Sequence, residues 1–307
     1  MSSHPFRLWS NKVTCQVSHT VNFSLLDSHQ HIWALDKGYY HWLTPDISDL
    51  YRDFSVDDYK QVATSSCRAN TSINTVLVQA AASDAETDYM LAQAASHPLI
   101  AGVVGWVDFE KDSQQICERL KMLAANSAFK GVRPMLQDID DINWILNPEF
   151  APIFKQLIAL DLSFDALCRV EHLPNILRLA TQYPDLPIVI DHCAKPNVSE
   201  GEIAVWSGAM SAFKDLPNVF VKISGLTLEA SLKQQDCKSF RPYFNLLHQT
   251  FGATRMMWGS DWPVVNINSD YCTWLRISEQ LVEQWSITDS ERFWSGTAKV
   301  FYKIGVQ

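Results

Sequence analysis

Residues 25–33, LLDSHQHIW, form an apolar run that ends in two histidines one residue apart, with a tryptophan behind them. A short apolar run of this kind reads as a buried β-strand. Side chains two apart on a strand share a face, so His29 and His31 point the same way and Gln30 points away. A strand suited to burial therefore delivers a pair of imidazoles at its end. What the pair is for depends on where the other strands finish.

Seven further apolar or β-branched runs follow at 74–80 (NTVLVQA), 100–107 (IAGVVGWV), 129–135 (FKGVRPM), 162–167 (LSFDAL), 186–192 (LPIVIDH), 219–225 (VFVKISG) and 254–261 (TRMMWGSD). With 23–29 (FSLLDSH) they make eight strands. Segments of helical period separate them at 55–67, 84–97, 113–126, 148–160, 171–183, 202–214, 240–251 and 269–285, and an extra helix closes the chain at 288–304. Ser55 with Asp58, Ser83 with Glu86 and Thr288 with Glu291 are helix-start signals. Near-continuous apolar strands are what a parallel sheet covered by helices requires. Eight such units in 307 residues predict an α/β fold, a distorted single-domain (β/α)8 TIM barrel over residues 22–307 with an added C-terminal helix. Residues 1–21 lack the continuous apolar stretch of a secretory signal and read as a polar lead-in.

Composition narrows the class further. With 47% apolar and 19% charged residues the chain is globular. A formal charge of −9 argues against a nucleic-acid partner, because phosphate binding needs clustered Lys and Arg. Seven scattered cysteines with no C-x-x-C pair fit reduced thiols in a cytoplasm better than a disulfide framework. No apolar run approaches the roughly 20 residues that span a bilayer, so no membrane partner is expected. Oligomeric state has no signal in the chain.

Chemistry in such a barrel gathers at the C-terminal ends of the strands. There stand His29 and His31 (first strand), Gln79 (second), Trp106 and Asp108 (third) and Arg133 (fourth). The later strands carry Asp165 (fifth), Asp191 and His192 (sixth), Lys222 and Ser224 (seventh), and Ser260, Asp261 and Trp262 (eighth). Each has a plain structural reading: His192 as a satisfied core histidine, Asp261 as a cap, Arg133 as half of a buried ion pair. Their coincidence on one rim argues for chemistry. His29, His31, His192 and Asp261 make an N3O set suited to one divalent cation, zinc first. Without metal, Asp261 could act as general base on a water that the imidazoles orient. Cys193 neighbours His192 and, on a strand, would face away from the site.

The motifs LLDSHQHIW, TVLVQAAASDAET, IAGVVGWVD, FKGVRPML, FDALCRVEHLPNI, IVIDHCAKP, VKISGL and MMWGSDWPV together resemble the amidohydrolase superfamily, within it the sugar-lactonase branch of L-fuconolactonases, L-rhamnonolactonases and 2-pyrone-4,6-dicarboxylate lactonases. The resemblance covers about residues 23–304. It implies His29, His31, His192 and Asp261 as the central set, with Asp261 the base that takes a proton from water and later passes it to the leaving oxygen. Arg133 of the GVR motif would polarise the lactone carbonyl, and His172 and Lys195 fall near the pocket. Two-metal members place a bridging Lys or Glu on strand four and a His on strand five. Here Arg133 and Asp165 stand instead, and a guanidinium cannot be a ligand and repels a second cation. One cation at most is expected, and it is dispensable in some members of the branch.

The expected function is hydrolysis of a sugar aldonolactone such as L-fucono- or L-rhamnono-lactone, a small-molecule ester, by Asp-activated water. Trp33, Trp42, Trp106 and Trp262 follow or end strands and offer flat platforms for a sugar ring, and Gln79, Tyr39 and Lys222 offer contacts to hydroxyls. The alternatives are a metal-dependent decarboxylase of the same superfamily and a non-catalytic sugar-binding barrel.

Overall fold

The computed structural model describes residues 24–67 and 71–305, so the lead-in expected over 1–21 lies outside the described residues. Eight strands run in chain order around one sheet: β1 (Ser24–Gln30), β2 (Ser72–Val78), β3 (Ile100–Gly105), β4 (Phe129–Val132), β5 (Ser163–Ala166), β6 (Ile188–Ile190), β7 (Val219–Ile223) and β8 (Met256–Trp258). Every neighbouring pair is parallel. The helices that cover the sheet are α1 (Val56–Ser66), α2 (Asp84–Ser96), α3 (Ser113–Ala124), α4 (Ala151–Ala159), α5 (Leu173–Gln182), α6 (Ala204–Ser211), α7 (Cys237–Phe251) and α8 (Tyr271–Val282). This is the (β/α)8 barrel in a single domain. No helix among the described residues is long and apolar enough to cross a membrane.

The barrel is distorted at its seam. No strand ladder joins β8 to β1. The gap is bridged by Asp261 N–H donating to His29 O at 2.8 Å and His31 N–H donating to Trp262 O at 2.8 Å. Ser28 Oγ adds a bond to Trp258 O at 2.7 Å. The segment after β8, rather than β8 itself, thus closes the cylinder.

Local chemistry explains the helix starts. Ser55 and Asp58 form a reciprocal capping box on α1, an arrangement in which the cap contributes about 1 kcal/mol. Ser83 accepts from Glu86 N–H at the start of α2, while the Glu86 carboxylate turns back to accept from Ala80 and Ala81 N–H at 2.8 Å each. The Thr288 and Glu291 signal is corrected: the cap is Ser286, which accepts from Asp289 N–H, and α9 covers Ile287–Glu291. A π-turn at Arg292–Gly296 then leads into α10 (Thr297–Phe301). Ala298, Phe301 and Tyr302 of this final rod pack with Leu26, Val76, Val78, Val104, Val189 and Met257 in an apolar cluster inside the barrel. The rod plugs the end of the cylinder opposite the site.

Two strand readings change. β1 carries a bulge between Asp27 and Gln30, since Asp27 pairs with Thr75 and Gln30 with Leu77. Leu26 faces the interior cluster, and without the extra residue His29 would face the helices. β6 ends at Ile190, so His192 is not on a strand. His192, Cys193, Ala194 and Lys195 instead form a left-handed turn with φ between 51° and 56°. Such a conformation costs an L-residue roughly 1–2 kcal/mol, and the surrounding packing has to supply it.

Candidate active site

The site grows out of the seam. Because Asp261 N–H is tied to His29 O, the carboxylate is delivered to the imidazoles of β1. Asp261 Oδ1 lies 3.4 Å from His31 Nε2 and 3.8 Å from His29 Nε2, and the two Nε2 atoms are 3.1 Å apart. From the left-handed turn after β6 the His192 ring stacks obliquely on His29 at 4.4 Å between centroids. Its Nδ1 is 3.9 Å from Asp261 Oδ2 and 2.9 Å from Ser224 Oγ. Glycines make this crowding possible. A Cβ on Gly259 would lie 2.8 Å from His29 Cβ, and one on Gly225, at φ +68°, would lie 2.8 Å from His192 Cβ.

Beneath the histidines lies a fully buried charge cluster. Lys222 Nζ donates to Asp165 Oδ2 at 2.6 Å and to His29 Nδ1 at 3.1 Å, and sits 3.0 Å from Asp191 Oδ1. Tyr302 donates its hydroxyl to Asp165 Oδ2 at 2.6 Å, so the terminal rod touches the cluster from below. Lys222, expected to meet substrate hydroxyls, is fully consumed here and has no exposure. Arg133 Nη1 reaches Asp191 Oδ2 at 3.5 Å and Nη2 donates to Gln79 O. Gln79 Nε2 returns a bond to Arg133 O at 2.7 Å.

Burial dominates the proton affinities. It pulls His192 down to about 4, against the opposing charges of Asp261 and Asp191. It also pulls His29 well below the usual imidazole range, with the Lys222 ammonium acting in the same sense. Burial alone would raise Asp261, but His192, His31 and His29 outweigh it and hold the carboxyl below its ordinary range. The centre at neutral pH is therefore a carboxylate among imidazoles, two of which resist protonation.

These groups face a cavity of about 260 Å³, whose wall includes His31, Arg133, His192, Lys195 and Asp261. That volume suits a single sugar-sized ring. His29 lies just beneath the wall, touching His31 and Asp261 rather than the cavity. Several residues expected at the pocket are kept off its wall. Gln79 is occupied with Arg133. Trp33 is buried against Tyr40, Trp42 and Phe54, with its Nε1 donating to Arg52 O. Trp262 packs on Phe54 and Tyr59. Trp106 has its backbone bracketed by Thr87 Oγ1, and His172 Nδ1 accepts from Arg169 N–H. Of the four tryptophans only Trp42 lines the cavity, its Nε1 anchored on Ala80 O. Met135, Gln137, Asp138, Leu228 and Glu229 complete the mouth from loops. No periodic pattern marks them in the sequence. Cys193 turns away, donating its Sγ–H to Lys222 O at 3.3 Å.

The donor set suits a divalent cation. Tetrahedral ligands at about 2.0–2.1 Å from an ion lie about 3.3 Å from one another, and His29 Nε2, His31 Nε2 and Asp261 Oδ1 are separated by 3.1, 3.4 and 3.8 Å. A second trio, His29, Asp191 and His192, also has its donor atoms within 4.8 Å. The Lys222 ammonium beside Asp191 and His29 already supplies positive charge at that edge.

A closed α/β barrel whose seam joins an H-x-H strand to an aspartate defines a barrel hydrolase of the histidine–aspartate type. The chain belongs to the amidohydrolase family: the family described as Amidohydrolase matches residues 26–304. It is 38% identical to an L-fucono-1,5-lactonase of Burkholderia ambifaria over 91% of this chain and 95% of that protein. An L-fucono-1,5-lactonase of Burkholderia multivorans is 30% identical, over 91% and 96% of the two chains. A crystal structure of an amidohydrolase from Burkholderia multivorans with bound zinc superposes with a TM-score of 0.84 at 29% identity, covering 91% of this chain and 99% of that one.

Proposed function

We propose that this protein hydrolyses a sugar lactone, with L-fucono-1,5-lactone the first candidate. The observation that carries the reading is the meeting of Asp261 with His31 and His192 on the wall of a ring-sized cavity, with His29 just beneath them. The likeness to two L-fucono-1,5-lactonases along nearly the whole chain supports it.

In the proposed reaction Asp261 takes a proton from a water held against His31 and His192, and the water oxygen attacks the lactone carbonyl carbon. Arg133, on the same wall, donates to the carbonyl oxygen as it becomes an oxyanion. When the tetrahedral species collapses, the bond to the ring oxygen breaks and that oxygen takes the proton back from Asp261, giving the open hydroxy acid. Lys195 and Glu229 at the mouth offer a donor and an acceptor to ring hydroxyls. The cation that His29, His31 and Asp261 suit, zinc by this proposal, supplies Lewis-acid polarisation when bound. None of the described cysteines forms a disulfide, which supports a reducing cytoplasm as the place of work.

A pH-indicator assay across a panel of aldonolactones tests the reading. Acid release with at least one member is expected, and Asp261→Asn should lower it by at least about a hundredfold while circular dichroism stays unchanged. Silence across the panel, or an Asp261→Asn protein as fast as wild type, refutes it.

A further inference from the structure

The His29–His31 pair is bounded by two groups whose hydrogen-bonding sense is fixed. At one end His31 Nδ1 lies 2.8 Å from the Val78 carbonyl oxygen. A carbonyl only accepts, so Nδ1 carries the hydrogen, which leaves Nε2 as the nitrogen that can present a lone pair. At the other end Lys222 Nζ lies 3.1 Å from His29 Nδ1. An ammonium only donates, so His29 presents a lone pair at Nδ1 and carries its hydrogen on Nε2. Between them the two Nε2 atoms stand 3.1 Å apart, a contact that needs one N–H and one lone pair. The two ends assign that contact independently, and they agree: Lys222 donates to His29, His29 to His31, and His31 to Val78.

We infer that Lys222 is a positioning residue that holds His29 as the Nε2–H tautomer and thereby opposes capture of a divalent cation at this centre. A ligating imidazole nitrogen must present its lone pair. With an ion on Nε2, the His29 hydrogen sits on Nδ1, where it points at the Lys222 ammonium. Its alternative acceptor, Asp191 Oδ1, is 3.5 Å away and already faces Lys222 at 3.0 Å. Lys222 cannot easily turn aside, because it is fully buried and tied to Asp165 at 2.6 Å. His31 and Asp261 carry no such conflict, so His29 alone is held back from the ion. The inference rests on reading this centre as a cation- and water-holding site, and it does not depend on which substrate is turned over.

Two measurements test it without an activity assay. In metal-free wild-type protein with 15N-labelled histidine, long-range 15N–1H spectra should show His29 protonated at Nε2 and bare at Nδ1, its signals assigned through the His29→Asn variant. A His29 protonated at Nδ1 overturns the inference. In the second, the protein competes with a chromophoric chelator for zinc. The Lys222→Met/Asp165→Asn double variant removes the buried pair together and leaves the local net charge unchanged. It should bind zinc about tenfold or more tightly than wild type, the scale on which groups behind a ligand act. Asp165→Asn alone keeps the ammonium on His29 and should bind zinc no more tightly than wild type. Equal or weaker zinc binding by the double variant overturns the inference, and if that variant fails to fold the wild-type spectra decide alone. A failed lactone assay touches neither readout.

Discussion

Removing Lys222 should expose how tightly the chemistry is underpinned. Lys222, Asp165 and Asp191 have no exposure at all, and Lys222 is the cation that touches both carboxylates, at 2.6 and 3.0 Å. Arg133 reaches Asp191 only at 3.5 Å. Lys222→Met therefore strands Asp165 with two hydroxyl donors, Ser163 and Tyr302, and no cation. Breaking a buried ion pair from one side costs about 3–5 kcal/mol. Asp165 limits the damage by taking a proton: burial already raises it against the pull of Lys222, and without Lys222 it rises further. The sign follows directly. A carboxyl whose folded value lies above its unfolded value binds more protons in the folded state, so the variant loses stability as pH rises and regains it toward pH 5. Asp165→Asn leaves Lys222 paired with Asp191 and should cost about 1 kcal/mol. Combining the two removes the stranded charge, so the double variant should be more stable than Lys222→Met alone, with a coupling of about 2 kcal/mol or more. Urea unfolding at pH 5.5 and pH 8, with unchanged m-values, reads all three proteins. Additive losses, or a Lys222→Met penalty that ignores pH, would falsify the picture of a coupled buried cluster.

Other consequences can be checked singly. His192 is held down to about 4, below its unfolded value of 6.5, so the unfolded chain binds more protons in between. Stability from this group, about 3 kcal/mol, should be lost as pH falls from 6.5 to 4. Denaturant titrations across that range measure it, and a profile flat in acid counts against a buried neutral His192. Over the same range kcat/KM should hold until His192 protonates near pH 4; a fall centred at pH 6.5 would mean that the imidazole is solvated. Gly225→Ala forces a Cβ to 2.8 Å from His192 Cβ at φ +68°, so it should cost about 1–2 kcal/mol and at least tenfold in kcat; wild-type kinetics would show His192 to be mobile. Tyr302→Phe removes a donor to buried Asp165 and should cost about 1.5–3 kcal/mol in urea unfolding with little change in KM, because Tyr302 lies beneath the charge cluster rather than on the cavity wall.

The sequence carries the architecture plainly where periodicity does the work. Eight apolar runs spaced by helical segments need cover on both faces, and eight units in this length suit a closed barrel better than an open doubly wound sheet; the rim positions of His29, His31 and Asp261 follow from where the runs end. What it hides is whatever departs from the regular pattern. The β1 bulge is invisible because Asp27, Ser28, His29 and Gln30 read as an unbroken strand, although the bulge is what turns His29 inward after Leu26. The left-handed run at His192–Lys195 contains no glycine to betray it. Lys222 looked like a rim residue because alternation gives its face and not its depth. Trp33 and Trp262 had the right places in the chain and the wrong neighbours, since aromatic packing among Phe54, Tyr59 and Trp42 is a tertiary fact. The mouth residues Gln137, Asp138 and Glu229 come from loops, where no local rule announces a contact.

The absence of a ladder between the last strand and the first has a consequence for how the molecule comes into being. Asp261 meets its imidazoles through the bonds that shut the cylinder, the two backbone bonds and the Ser28 and Ser260 bonds beside them, so parting the ends separates the carboxylate from the imidazoles of β1. If Asp261 is the base as proposed, turnover should be lost when the ends part, even while most helices still hold. A circular permutant that keeps β8 and β1 on one continuous stretch should regain turnover early in refolding, and one cut between them should regain it last.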